Sequence, residues 1–156
     1  MTRVGNAREP RLSLTVQYAV STRGLPSRAQ FRRWTRAALA HDAQITIRVV
    51  GQEEGLALNR AYRRKNYATN VLTFVFHDQA PFAGDIALCA PVVAREARAQ
   101  GKTGIAHYAH LTVHGVLHLQ GYDHEQDADA KVMEARESAI MAKLGYADPY
   151  RQPREP

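Results

Sequence analysis

The chain has 156 residues, 45% hydrophobic and 23% charged, which suits one globular domain with a sizeable core. No apolar run approaches the ~20 residues a membrane span needs, Met1 to Pro10 lacks the apolar centre of a signal peptide, and the single cysteine, Cys89, excludes an internal disulfide and fits a reducing cytoplasm. The net charge of +6 points to a polyanionic partner, most simply nucleic acid, although an arginine-rich chain can be basic without binding one.

Met1 to Pro10 is polar and is expected to be a flexible N-terminus. Leu12 to Val20 alternates apolar and polar residues and reads as a strand. Pro26 opens a helix through about Ala40, with Phe31, Trp34, Ala38 and Leu39 on its apolar face. Ile45 to Val50, rich in β-branched residues, is a second strand, and Glu53 to about Arg64 a second helix. Val71 to Phe76 is a third strand, and Asp85 to Leu88 a short fourth one after the turn region Pro81–Gly84. Cys89, following that apolar strand, reads as a buried, inert thiol. Pro91 starts a helix ending near Gly101, and Ile105 to Leu119 forms the next. The last helix runs from about Gln126 to Leu144, with Asp127 a candidate cap and Gly145 the stop. Arg151 to Pro156 is a polar, proline-containing tail expected to be disordered, leaving 11–150 as the working domain. These elements predict one α+β domain, a small sheet packed with about five helices.

The most informative stretch is His114-Gly-Val-Leu-His118-Leu-Gln-Gly121-Tyr-Asp-His124. Histidines four apart on a helix lie one turn above each other on one face. Gly121 permits a left-handed conformation that stops the helix and turns the chain back, so that His124 offers a third nitrogen. Three neutral imidazoles with an open position describe a catalytic zinc site rather than a closed structural one. Zinc suits nitrogen ligands in a tetrahedral site best, and nickel, cobalt, iron or copper could fill the same cage in vitro. The spacing is that of the metzincin proteases, whose general base is a Glu directly after the first His; here that position is Gly115.

Other residues carry two readings each. His107 and His110 share the stripe of His114 and His118, and packing is the reading adopted for both over a bond near the site. Asp123 either accepts from an imidazole of the cage or caps its own turn. Arg63-Arg64-Lys65 either complements a helix dipole or holds a phosphate near the metal. Thr69 and Asn70 are placed to fix the start of a strand by side-chain-to-backbone bonds. Asp85 either caps the turn at Gly84 or points into the cleft.

Taken together, Leu58-Asn59, Tyr62-Arg63, Thr69-Asn70-Val71-Leu72-Thr73-Phe74, Gly84-Asp85-Ile86, the histidine motif and Asp148-Pro149-Tyr150 resemble the bacterial YbeY family over about Leu12 to Tyr150. Those proteins are metal-dependent endoribonucleases implicated in maturing the 3′ end of small-subunit (16S) ribosomal RNA and in ribosome quality control. The resemblance implies one zinc ion on His114, His118 and His124, and Arg63 as the functional arginine, with weaker substrate-binding assignments for Arg64, Lys65, Asn70 and Asp85. It also implies a mixed four-stranded sheet with the metal in a zincin-like cleft beside the histidine helix. The implied partners are single-stranded RNA, precursor rRNA and the small ribosomal subunit, with a ribosomal protein or an assembly GTPase alongside. Where the family often has Pro and Ser, this chain has Ala68 and Thr73, both mild changes.

Two rival readings are carried. A zinc metalloprotease fits the spacing but lacks the base that peptide hydrolysis needs. A basic ribosome-assembly factor whose zinc only fixes the fold fits the charge, whereas an open coordination position favours chemistry. The base for RNA cleavage is unassigned, and the nucleophile is either water, leaving a 3′-OH, or the RNA 2′-OH, giving a cyclic phosphate.

Overall fold

Alternating apolar residues in four stretches of seven or eight build a mixed sheet of order β1-β2-β4-β3. The strands are β1 (Leu12–Tyr18), β2 (Ala43–Val50), β3 (Val71–His77) and β4 (Phe82–Cys89). The first pairs parallel with the second and the second with the fourth, while β3 runs antiparallel to β4 on the outer edge. The computed structural model describes residues 8–65, 67–122 and 126–151. Residues 1–7 of the expected flexible N-terminus and 152–156 of the expected tail lie outside this set. Arg8 is described, and its guanidinium pairs with Asp42 at 2.6 Å.

The described residues form five helices: α1 (Arg28–Ala38), α2 (Gln52–Arg63), α3 (Ala90–Ala99), α4 (Gly104–Leu119) and α5 (Asp127–Lys143). The expected α+β architecture of one small mixed sheet and five helices is therefore what the chain adopts. Among the described residues no helix is long and apolar enough to cross a membrane. Several boundaries differ from the sequence reading, three of them for identifiable local reasons. Ser27, not Pro26, starts α1: its Oγ accepts from the Gln30 amide while Gln30 Oε1 accepts from the Ser27 amide, a reciprocal cap. Gln126 is the N-cap of α5 and makes no side-chain cap bond, so Asp127 sits in the first turn, where its charge suits the helix dipole. The fourth strand starts at Phe82, three residues earlier than its apolar run suggests, because pairing with β2 begins at Ala43–Phe82.

The core lies between the sheet and α1, α4 and α5. Phe31 and Trp34 are fully buried and meet edge to face at 5.6 Å, and Phe31 meets Tyr108 of α4 in the same way at 6.3 Å. The central helix is α4, which packs against α1, α3, α5, β3 and β4. Its C-terminal end is tied to that of α1 by Gln120. The Gln120 amide donates to the Ala38 carbonyl at 2.8 Å, and its Oε1 accepts from the Ala40 amide at 2.8 Å. The opposite face of β4 carries α2, which approaches it where Gly55 meets Cys89. Cys89 is buried, as expected, and burial pushes its thiol pKa up.

Candidate metal centre and cleft

Thr103 caps α4 by accepting from the Ala106 amide at 3.1 Å, and the helix then runs sixteen residues. One face is packed on the sheet through Gly115, which lies against Ile86, and Leu119, which covers Gly84, while Val113, Val116 and Leu117 are buried in the core. Another carries His110, His114 and His118, which are only partly covered. The rings of His114 and His118 stand parallel, 6.5 Å apart and 10° from coplanar, as a four-residue spacing requires. The helix ends at Gly121, whose φ of +104° is one that side chains rarely tolerate. The Tyr122 amide folds back onto the Leu117 carbonyl at 3.1 Å, and the chain turns at that point.

The contacts of the two histidines fix their tautomers. His118 Nδ1 lies 2.9 Å from the Tyr122 carbonyl, which has no proton to give, so Nδ1 donates. His114 Nδ1 lies 3.0 Å from Oε1 of Glu137 on α5 and donates in the same way. In a neutral imidazole the lone pair then belongs to Nε2, the nitrogen a metal uses, and outer bonds of this kind orient metal-ligating histidines generally. The donor set therefore fits a divalent metal of the zinc type. Asp123 and His124 lie outside the described residues. Among the described residues no group of three His, Cys, Asp or Glu side chains is close enough to hold a metal ion.

Glu137 is the residue the sequence reading missed. It is fully buried, and its Oε1 also accepts from His110 Nε2 at 2.9 Å, while Oε2 accepts from the Tyr150 hydroxyl at 2.7 Å. Burial pushes its carboxyl up, but the hydrogen bonds from His110, His114 and Tyr150 outweigh that and hold it at about 2. The available signal was a carboxylate on the otherwise apolar stripe Met133, Ile140 and Met141 of α5. His110, read from sequence as a packing residue, is instead linked to His114 through this shared oxygen. His107 is also more than packing: its Nε2 lies 2.8 Å from Glu96 Oε1, which in turn accepts from Asn70 Nδ2 at 2.9 Å.

Gly115 explains the missing protease base. A side chain there would begin 3.1 Å from both Cδ1 and Cγ2 of Ile86, a fully buried residue of β4. The helix backbone is packed onto the sheet at the position where a metzincin projects its glutamate. Any side chain there would have to push the Ile86 side chain aside.

The candidate residues meet at the edge of the sheet. Arg63, Asn70, His114 and His118 line one cleft of ≈ 480 Å³, together with Tyr62, Thr69 and Val71 to Phe74. Arg63 is in the last turn of α2, and Arg64 ends that helix in a left-handed conformation (φ 56°) that turns the chain toward β3. The loop is held from below by Asn59, buried, whose Nδ2 donates to the Tyr67 carbonyl at 2.5 Å. Asn70 Oδ1 accepts from the Val71 amide at 2.6 Å, the local bond expected at a strand start. Arg64 and Lys65 follow Arg63, exposed, outside the cleft lining. Asp85 pairs in register with Phe74 and lies one strand inward, on the face opposite Ile86. It does not line the cleft, and burial pushes its carboxyl pKa up. A second cavity, of ≈ 720 Å³, shares Asn70 with the cleft and is lined also by Glu96, Lys102, His107, His110 and Tyr150.

Comparison with known proteins identifies the family. Residues 22–145 match the family model described as Endoribonuclease YbeY. The chain belongs to that family. Its relatives include the Endoribonuclease YbeY of Nitrosospira multiformis, 59% identical, with 90% of this chain and 82% of that one covered. The Endoribonuclease YbeY of Nitrosomonas europaea is 56% identical, with 91% and 87% covered. A Thermotoga maritima protein solved in solution superposes with a TM-score of 0.54 over 89% of this chain and 99% of its own, at 21% identity, and shares the fold.

Proposed function

We propose that this protein is a zinc-dependent endoribonuclease that cuts single-stranded RNA during maturation of the 3′ end of small-subunit rRNA and in ribosome quality control. The observation that carries this reading is the single cleft into which Arg63, Asn70, His114 and His118 all face, at the exposed edge of the sheet. Family membership supports RNA as the substrate, and the net charge of +6 suits a polyanion. His114, His118 and His124 would hold one zinc ion, which supplies a Lewis acid for a phosphoryl oxygen.

The remaining steps belong to the chain's own groups. Arg63 presents its planar fork to two non-bridging oxygens and offsets the charge that builds on them as the phosphorus becomes five-coordinate. Glu137 and the Tyr122 carbonyl fix the orientation of His114 and His118, so no reorganisation of the cage is needed during the reaction. Asn70 holds the first amide of β3 and so sets the floor of the cleft. Arg64 and Lys65 draw the RNA backbone toward Arg63, with affinity falling as salt rises. Asp85, set back from the cleft, is left with at most an indirect part in binding substrate. The work is assigned to the cytoplasm, on precursor rRNA in the small subunit, with a ribosomal protein or an assembly GTPase as candidate partners. The protease reading is disfavoured by the packing of Gly115 on Ile86.

The test is cleavage of a 5′-labelled single-stranded RNA carrying the rRNA 3′ junction, with metal quantified in each preparation. His114→Ala is expected to lose both zinc and cutting, and Arg63→Glu to keep zinc and lose cutting. Equal cutting by both variants and wild type would overturn the reading.

A further inference from the structure

The cleft carries a feature that phosphate chemistry does not use. Two aromatic rings line it beside Arg63: Tyr62 in the last turn of α2 and Phe74 on β3. They meet edge to face at 4.9 Å, with an interplanar angle of 67°. Tyr62 is nonetheless 68% exposed, so the pair adds little to the core. Phe76, also 68% exposed, follows Phe74 two residues later on β3, and Tyr67, 59% exposed, precedes the strand. Single exposed apolar residues are ordinary, but an exposed tyrosine ring paired with a second ring on the wall of a cleft marks a recognition surface.

What such a surface recognises follows from its neighbours. Cations and aromatics interleave in the run Tyr62-Arg63-Arg64-Lys65, and Tyr67 follows within the same loop. Flat apolar faces among guanidinium and ammonium groups suit unstacked nucleobases on a phosphate backbone, since every base has a π-face and stacking tolerates any sequence. A protein partner would be served by the apolar rings but not by the row of cations beside them.

We infer that Tyr62 and Phe74 form a stacking corner for the nucleobase adjoining the phosphate held at Arg63. This rests on the endoribonuclease reading and adds to it a binding site for the base. It gives the cleft a preference for unpaired RNA without base-edge readout: a base locked in a duplex cannot leave its neighbours to stack on Tyr62.

A series of otherwise identical RNAs, each with one abasic ribonucleotide at a successive position around the cut, tests it. KM for cleavage is measured with wild type and Tyr62→Ala, and direct binding by fluorescence anisotropy in a His114→Ala background that leaves the RNA intact. On intact RNA Tyr62→Ala is expected to raise KM, and the anisotropy Kd, about tenfold. One abasic position next to the cut should weaken wild type by the same factor, and Tyr62→Ala should then cost nothing more on that RNA. Indifference to every abasic position, multiplication of the two losses, or no RNA binding at all would overturn the inference. If wild type binds but never cuts, the nuclease reading fails, and the anisotropy series still decides whether the corner stacks a base.

Discussion

The two parallel pairings, β1–β2 and β2–β4, and the antiparallel edge strand β3 divide the molecule into unlike halves. β2 and β4 are almost wholly buried, and their inward residues meet an aromatic cluster of Phe31, Trp34 and Tyr108 with α4 across it. The edge strand is buried only at Leu72 and runs into solvent from Val75 onward. Its chain neighbours bring polar and aromatic groups rather than apolar cover. One helix serves both halves: α4 stabilises the fold through Val113, Val116 and Leu117, and presents His114 and His118 to the cleft. Stability and candidate chemistry therefore occupy different faces of the same helix. A substitution on one face should leave the properties of the other unchanged.

The largest effect is expected in the aromatic core. Phe31→Ala removes a fully buried ring with ring contacts to Tyr18, Trp34 and Tyr108, and should cost about 3–5 kcal/mol in urea unfolding. Metal uptake per folded molecule should not change; a parallel loss of metal would show that the two halves are coupled.

Glu137→Gln works on the cleft side. Replacing the carboxylate weakens the hydrogen bonds that orient His114 and His110, and zinc affinity in a competition against a chromogenic chelator should fall on the order of 10–100-fold. Unchanged affinity would mean that the shared carboxylate does not hold the cage.

Gly115→Ala lies where the halves touch. Alanine is the better helix former by about 1 kcal/mol, yet its methyl would press on Ile86, and overpacking of this kind costs about 1–3 kcal/mol. We expect net destabilisation that Ile86→Val partly relieves. A stabilised variant would show that β4 yields easily and would reopen the question of why no glutamate stands there.

The smallest effect concerns pH. Burial, partly opposed by the hydrogen bond to Glu96, holds the His107 pKa below the usual 6.5. Between that lowered value and 6.5 the unfolded chain binds more protons than the folded one, so this residue's share of stability is full above pH 6.5 and falls as the pH drops through the window. Denaturation at pH 8 and pH 5.5 should show wild type losing more stability on acidification than His107→Gln. Equal losses would assign the acid sensitivity elsewhere.

Much of this was legible in one dimension. The period-two and period-3.6 patterns placed all nine elements within a few residues, because burial of one face dictates them locally. Misplaced ends came from chemistry that periodicity does not report: the reciprocal cap at Ser27 and Gln30, and a fourth strand whose length is set by its partner. Asn70 was legible as a strand-start residue since its bond is to the next amide. Glu137 was not, because its three partners lie at separations of 27, 23 and 13 residues and converge only when α4, α5 and the C-terminal segment pack together.

The amino-acid sequence by itself determined the α+β class, the one-turn spacing of His114 and His118 and the turn at Gly121, all consequences of backbone geometry over a few residues. It also carried the motif by which the family is recognised. Only the tertiary structure decided which groups share a site. It brought Arg63 and Asn70 to the histidines, set Asp85 behind them, packed the position after His114 tightly on Ile86 and placed a buried carboxylate beneath His110 and His114. The physical reason is that hydrogen bonds within a turn follow from the chain's own period, whereas contacts between distant segments exist only once the core has fixed the elements against one another.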